Sequence, residues 1–116
     1  MTFAGSRRAD DVYPRAELLV SPSRYEGLPL VPMEALENGV PVVASDIPPH
    51  RELLGRADGS ILPADDTQWH TELASLLRDA PARRSLGERQ ARVRPVDPVG
   101  KMWAAYEAIY RAVVWE

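Results

Sequence analysis

The sequence of 116 residues contains no cysteine, a single lysine and two histidines. The lack of cysteine excludes a disulfide scaffold and any cysteine-ligated zinc site, and it fits a reducing compartment. No apolar stretch reaches the roughly 18 residues of a membrane-spanning helix, and the N-terminus lacks the pattern of a signal peptide. The net charge of −3 argues against a nucleic-acid partner. We therefore expect a globular domain in the cytoplasm.

Prolines, in contrast, are abundant, with 11 in the chain. Pro29 and Pro32 are compatible with one helix if Pro29 is its first residue and Pro32 its fourth. The first four amides of a helix have no acceptor within the helix, so neither proline removes a hydrogen bond. Asn38 and Gly39 are typical of a helix end. The sequence thus predicts a helix that begins at Pro29 and stops at Asn38-Gly39.

Short apolar runs alternate with helical patterns along the chain. Strands are predicted at residues 2–5, 18–21, 41–45 and 60–62, and further helices at residues 10–15, 49–54, from 65 onwards, 81–92 and 97–114. This alternation favours an α/β fold with a partial Rossmann-like parallel sheet of about four strands, flanking helices and a long C-terminal helix. We expect one domain over residues 1–116, with residues 1–64 forming the ligand site and residues 65–116 a helical part.

The most informative segment is the strand, loop and helix between Leu18 and Gly39. Ligands of such sheets bind beyond the carboxyl ends of the strands. The free amides at the start of the Pro29 helix favour an anion such as a phosphate. Glu26 in the loop and Glu34 in the helix can each accept hydrogen bonds from neighbouring sugar hydroxyls. These residues predict a site for a phosphorylated, polyhydroxylated ligand.

The same segment resembles a known family. The run SRYEGLPLVPMEAL, followed by GVPVVAS, is similar to the donor-binding signature of the retaining glycosyltransferases with the GT-B fold, the group 1 glycosyl transferases. The paired glutamates of that family, with seven residues between them, correspond to Glu26 and Glu34. The resemblance implies the C-terminal, donor-binding domain of such an enzyme, truncated on its N-terminal side.

The resemblance also implies roles for individual residues. Glu34 would hold the ribose of the nucleotide sugar, and Glu26 would contact the hydroxyls of the donor sugar at the catalytic centre. The amides of Gly27 and Leu28 would approach the sugar and the diphosphate. Ser6 and Arg7 match the place where the family's domain passes near the nucleobase. No residue is identified as a proton-transfer catalyst, and no metal ligands are expected.

The implied reaction transfers a glycosyl group from a UDP- or GDP-linked sugar to a hydroxyl acceptor with retention of configuration, without a further cofactor. Two parts of the family's pattern have no counterpart in the sequence: the basic pair that neutralises the diphosphate and the acceptor-binding domain. We therefore expect weak diphosphate binding and no activity from the isolated chain. The alternatives are a non-catalytic remnant or a subunit of a split glycosyltransferase, and a sugar-nucleotide epimerase.

The resemblance implies a sheet with the strand order 3-2-1-4-5-6. In that order, residues 2–5 correspond to the third strand of the family's domain and residues 18–21 to the fourth. Because strands 1 and 2 are missing, residues 2–5 are expected to pair beside residues 18–21 or with another chain. The predicted partners are accordingly a nucleotide sugar, an acceptor domain on another chain, and a second copy bound through the open sheet edge.

Other side chains are expected to serve structure. The apolar stripe of the last helix is predicted to lie in the core. The alternative is that part of it forms an exposed apolar patch, because the resemblance implies a helix that packs toward the family's N-terminal domain. The arginines between residues 83 and 94 are predicted to form a solvated face, with contact to the inner surface of an anionic membrane as the alternative. His50 is expected at a loop end and His70 on a helix surface, and neither suggests a metal site or a catalytic dyad. Ser23 and Arg24 are expected to be structural or solvent-facing.

Overall fold

The computed structural model describes residues 2–63, 66–93 and 98–114. Within these ranges, three short strands are interleaved with helices. The strands are β1 (Leu19–Ser21), β2 (Val42–Ser45) and β3 (Ile61–Leu62). The helices are α1 (Ala9–Val12), which continues into a 3₁₀ turn (Tyr13–Arg15), α2 (Leu30–Glu37), α3 (Pro48–Leu54), α4 (Asp66–Arg78), α5 (Ala80–Val93) and α6 (Pro98–Val114).

The strands form one parallel sheet in the order β1-β2-β3. Val20 is in register with Val43, and Ser45 with Leu62. Parallel neighbours need a crossover connection, which α2 provides between β1 and β2 and α3 between β2 and β3. The α/β class with a parallel sheet is therefore confirmed, and these strands begin one residue later than predicted.

Strand β2 lies at the centre of the hydrophobic core, with Val42, Val43 and Ala44 all 0% exposed. Val42 and Ala44 point to one face of the sheet and Val43 to the other, as the two-residue period of a strand requires. The face with Val42 and Ala44 packs against the 3₁₀ turn, α2 and α3, mainly through Tyr13, Ala35, Leu36 and Leu54. The face with Val43 packs against α4 and α5, mainly through Trp69, Leu76 and Leu86.

Gln90 in α5 completes the hydrogen bonding of β2 and is itself 1% exposed. Its Oε1 accepts a hydrogen bond from the Val42 amide at 2.9 Å, and its Nε2 donates to the Val42 carbonyl at 2.6 Å and to Ser60 Oγ at 2.8 Å. The pairing of β2 with β3 begins only at Ala44. The Gln90 amide therefore takes the place of a strand residue beside Val42.

Residues 2–5 do not form the predicted strand. They are exposed, with Phe3 at 88%, and the sheet has three strands where about four were expected. Gly5 has a φ of 69°, which ends any extended run at this point. Pairing of residues 2–5 beside β1 is wrong for the described chain, whereas pairing with another chain stays a prediction.

The described large apolar side chains of α6 do not lie in the core, so the first expectation is wrong for them and the alternative of an exposed apolar patch is confirmed. The exposed fractions of its large apolar side chains range from 42% for Met102 to 73% for Val113. Trp103 and Tyr106 contact each other, with ring centroids 6.5 Å apart. The two core clusters of the described chain are formed by the sheet and the earlier helices and include no residue of α6. None of the described helices is long and apolar enough to cross a membrane.

The arginines of α5 differ in their surroundings. Arg83 donates hydrogen bonds to the carbonyls of Leu76 and Leu77 at 2.7 and 2.9 Å, which caps the end of α4, and forms an ion pair with Glu17 at 3.3 Å. The prediction of a solvated face is therefore wrong for Arg83, because helix C-terminal carbonyls need donors. Arg84 and Arg92 are exposed as expected.

We expect Gln90→Leu to destabilise the chain by about 1–3 kcal/mol for each buried backbone group that it leaves unpaired. Urea unfolding followed by circular dichroism measures this loss. Gln68→Leu is the matched control, because Gln68 is exposed on α4 and surface substitutions usually change stability by less than about 0.5 kcal/mol. Equal unfolding midpoints for both variants would contradict the role given to Gln90.

Candidate functional site

The candidate site lies at the carboxyl ends of β1 and β2, where Ser21 and Ser45 end the two strands. The loop between Ser21 and α2 passes over this edge. Helix α2 begins at Leu30 with Pro29 as its N-cap, one residue later than predicted, and Pro32 is its third residue. Both prolines still precede the first amide that needs an acceptor within the helix.

Glu34 has a partner that the sequence did not reveal. The Tyr13 hydroxyl donates a hydrogen bond to Glu34 Oε2 at 3.0 Å and lies 3.4 Å from the Val31 carbonyl oxygen. Tyr13 is buried in the core, whereas Glu34 is exposed on α2. A core tyrosine therefore orients an exposed carboxylate, whose other oxygen is open to a ligand hydroxyl.

The surroundings of Tyr13 raise its pKa. Burial in the core raises the pKa of Tyr13 above its usual value, and the hydrogen bond to Glu34 and the charge of that carboxylate raise it further. All three effects favour the neutral hydroxyl that donates to Glu34. The only sequence signal for Tyr13 was its place in a short predicted helix, which carries no information about a contact 21 residues away.

Glu26 is held by a residue of its own loop. Ser23 Oγ donates a hydrogen bond to Glu26 Oε1 at 2.7 Å, and the Glu26 side chain is half-buried. Ser23 therefore has a structural role, as expected, and it fulfils this role by holding the carboxylate of Glu26. Ser45 Oγ in turn donates to the Ser23 carbonyl, which ties the loop to the end of β2.

His50 was expected at a loop end, but it is buried, so this expectation is wrong. It lies in α3 with 0% exposure. Its Nδ1 is 2.9 Å from the Ser45 carbonyl oxygen and 3.3 Å from Ser45 Oγ, and its Nε2 is 3.4 Å from Ser21 Oγ. The imidazole thus contacts the ends of both strands. Isolated histidines in sequence carry no signal for such a contact.

The backbone at the start of α2 is accessible. Gly27 and Leu28 are exposed, and a Cβ atom added at Gly27 would meet nothing within 4 Å. Among the described residues, the amides of Gly27 and Leu28 donate to no protein acceptor. Pro29 supplies no side-chain cap for α2. These amides are therefore available to an anionic ligand.

Among the described residues, Ser6 and Arg7 form no hydrogen bond or ion pair with either glutamate. Both are exposed, and Arg7 Nε donates to the Ala4 carbonyl at 3.0 Å. Arg7 lines a surface cleft of about 560 Å³ together with Asp11 and Arg15. Within the described chain, neither residue forms a hydrogen bond or ion pair with the loop that holds Glu26. Their nucleobase contact stays a prediction.

We expect Glu34→Gln to lower the pKa of Tyr13, because the charge is removed while the amide oxygen still accepts the hydrogen bond. In wild type the raised pKa means that Tyr13 stabilises the fold below pH about 10 and that this contribution is lost as the pH rises through the folded-state pKa. NMR titration of the Tyr13 ring measures the shift. Glu37→Gln, on the same helix, is the control, and an unchanged Tyr13 midpoint in Glu34→Gln would contradict the assignment.

Comparisons with known proteins identify the family of the chain. The sequence model of the family "Glycosyl transferases group 1" matches residues 1–93. The lipopolysaccharide core biosynthesis mannosyltransferase LpsB of Rhizobium meliloti is 39% identical over 72 residues, which is 60% of this chain and 20% of that protein. The O-antigen chain mannosyltransferase RfbU of Salmonella typhimurium is 35% identical over 74 residues, or 62% of this chain and 21% of that protein.

A third relative matches over a longer stretch. The lipopolysaccharide core biosynthesis mannosyltransferase LpcC of Rhizobium leguminosarum bv. viciae is 33% identical over 105 residues, which is 88% of this chain and 30% of that protein. The chain thus spans less than a third of the length of these curated relatives. The family match includes the loop with Glu26 and helix α2 with Glu34. On this evidence the chain belongs to the group 1 glycosyl transferases.

Proposed function

We propose that this chain is the donor-binding part of a glycosyltransferase that retains the configuration of the transferred sugar. Membership of the group 1 glycosyl transferases supports glycosyl transfer as the reaction. The observation that supports a donor site is the pair of oriented carboxylates beside the start of α2: Tyr13 holds Glu34, and Ser23 holds Glu26. Each carboxylate retains acceptor capacity for neighbouring hydroxyl groups, which both a ribose and a hexose offer.

In this proposal each group has a separate part of the donor to recognise. Glu34 accepts hydrogen bonds from the ribose hydroxyls, and Glu26 accepts them from the sugar hydroxyls. The amides of Gly27 and Leu28 donate to the diphosphate or to the sugar. No side chain is assigned to proton transfer, and Ser6 and Arg7 are assigned to the nucleobase side only as a prediction.

We further propose a mannosyl donor, with GDP-mannose as the first ligand to test and UDP-linked sugars as the alternative. The support comes from the relatives, which are all named as mannosyltransferases. The chain covers only a part of each relative, so the acceptor and the complete reaction are also proposals. The same holds for a cytoplasmic location and for an acceptor-binding domain as partner.

A non-catalytic or subunit role is the second candidate. Two exposed features favour it: the apolar face of α6, which includes Trp103 and Tyr110, and the outer edge of β1, which pairs with no strand in the described chain. Both could be covered by another polypeptide. In that case the chain would keep the donor site but would turn over only in the complex.

We expect Glu34→Ala to weaken the binding of GDP by about 10- to 150-fold, because a hydrogen bond to a charged group contributes roughly 1.5–3 kcal/mol. NMR titration of the chain with GDP, GDP-mannose, UDP and UDP-glucose measures this, since it detects weak binding. Glu37→Ala is the matched control, an exposed glutamate on the same helix. The site is wrong if Glu34→Ala binds GDP as wild type does, and the function is wrong if no nucleotide or nucleotide sugar binds.

A further inference from the structure

His50 is a fully buried imidazole that the proposed donor contacts leave without a role. Burying polar groups is unfavourable unless each is hydrogen-bonded. Both ring nitrogens of His50 have partners, and these partners are the last residues of two neighbouring strands, Ser21 and Ser45. The ring therefore belongs to a buried polar cluster with Ser21 and Ser45, at the strand ends where the candidate site lies.

The hydrogen bonds fix the tautomer of the ring. A carbonyl oxygen can only accept, so the 2.9 Å contact between His50 Nδ1 and the Ser45 carbonyl requires a hydrogen on Nδ1. In the neutral ring, Nε2 then accepts from the Ser21 hydroxyl. Ser45 Oγ lies 3.3 Å from Nδ1, and because its own hydrogen is donated to Ser23, it can only share the Nδ1 hydrogen as a second acceptor.

The cluster continues into the loop that carries Glu26. The Ser45 hydroxyl donates to the Ser23 carbonyl, and the Ser23 hydroxyl donates to Glu26 Oε1 at 2.7 Å. Tyr25 is exposed, and the amides of Gly27 and Leu28 have no protein acceptor among the described residues. The described hydrogen bonds that tie this loop to the sheet thus pass through Ser23.

We propose that His50 is a positioning residue for donor-sugar recognition, which acts through Ser45 and Ser23 to hold the Glu26 carboxylate in place. The inference rests on the proposed function of Glu26. A carboxylate that is already ordered loses less side-chain entropy when it binds a ligand hydroxyl. His50 acts on the donor only through this loop. Its main effect falls on Glu26 and the sugar, with a smaller effect on the diphosphate through the amides of Gly27 and Leu28, while Glu34 and the ribose depend on Tyr13.

The first test needs no ligand. We expect Ser45→Ala and His50→Gln to lower the heteronuclear NOE of the Gly27 and Leu28 amides, which reports fast loop motion. His50→Asn is expected to keep wild-type values, because its amide nitrogen can occupy the position of Nδ1 and donate to the Ser45 carbonyl. Ser85→Ala is the control, since it removes a serine hydroxyl that contacts only Arg89 on α5 among the described residues.

The second test compares GDP with GDP-mannose, both measured by NMR titration. We expect Ser45→Ala and His50→Gln to reduce the affinity gained from the mannosyl group by about 3- to 10-fold. The affinity for GDP alone should fall less than the affinity for GDP-mannose, because GDP meets the loop only at the amides of Gly27 and Leu28. Equal losses for GDP and GDP-mannose would indicate a general structural effect and would overturn the inference. His50→Asn is expected to restore the wild-type gain.

The outcomes separate this inference from the proposed function. If the wild-type chain binds GDP-mannose more tightly than GDP, and Ser45→Ala changes neither that gain nor the loop motion, the role of His50 is wrong while the donor site stands. If the wild-type chain binds none of the nucleotides or nucleotide sugars, the proposed function is wrong and donor positioning by His50 is overturned with it. Ser45→Ala keeps both tests valid even where a His50 variant fails to fold.

Discussion

The fold depends on one constraint, which is that β2 is buried on both faces and must have every backbone polar group paired. β1 satisfies one edge of the strand, and β3 satisfies the other edge from Ala44 onwards. At Val42, where β3 does not reach, the side-chain amide of Gln90 supplies both a donor and an acceptor. Because an unpaired buried backbone group costs about as much as a lost hydrogen bond, this requirement holds α5 against the sheet in addition to its apolar contacts.

The same strand also positions the candidate site, because its last residue, Ser45, belongs to both the core and the loop. Its carbonyl accepts from His50, and its hydroxyl donates to Ser23. On the other side of the site, Tyr13 packs in the core with Val42 and Ala44 while its hydroxyl contacts Glu34. Each carboxylate is therefore connected to the core through a hydroxyl group, by a route separate from that of the other carboxylate.

The sequence was informative where local chemistry decides the structure. The three strands, the helix with Pro29 and Pro32, and the spacing of the two glutamates all follow from neighbouring residues. It was uninformative where a contact joins distant segments: Gln90 meets Val42 across 48 residues, and His50 meets Ser21 across 29. The stripe of α6 shows the limit most clearly, since periodicity identifies an apolar face but not what covers it. The strand predicted at residues 2–5 does not form for a related reason: a strand needs a neighbouring strand to pair its backbone groups, and the local sequence does not show whether one is present.

Within the proposed function, the charges of the site indicate which parts of the donor it recognises most strongly. Two carboxylates face a ligand that is itself anionic, and the hydrogen bonds from Tyr13 and Ser23 orient these charges without neutralising them. The amides of Gly27 and Leu28 can donate to phosphate oxygens, yet a pair of neutral donors does not offset two negative side chains. We infer that the hydroxyl groups of the ribose and the sugar supply most of the recognition. Stabilisation of the leaving diphosphate would then require cations beyond these contacts, as transfer of a glycosyl group needs charge stabilisation where the charge develops.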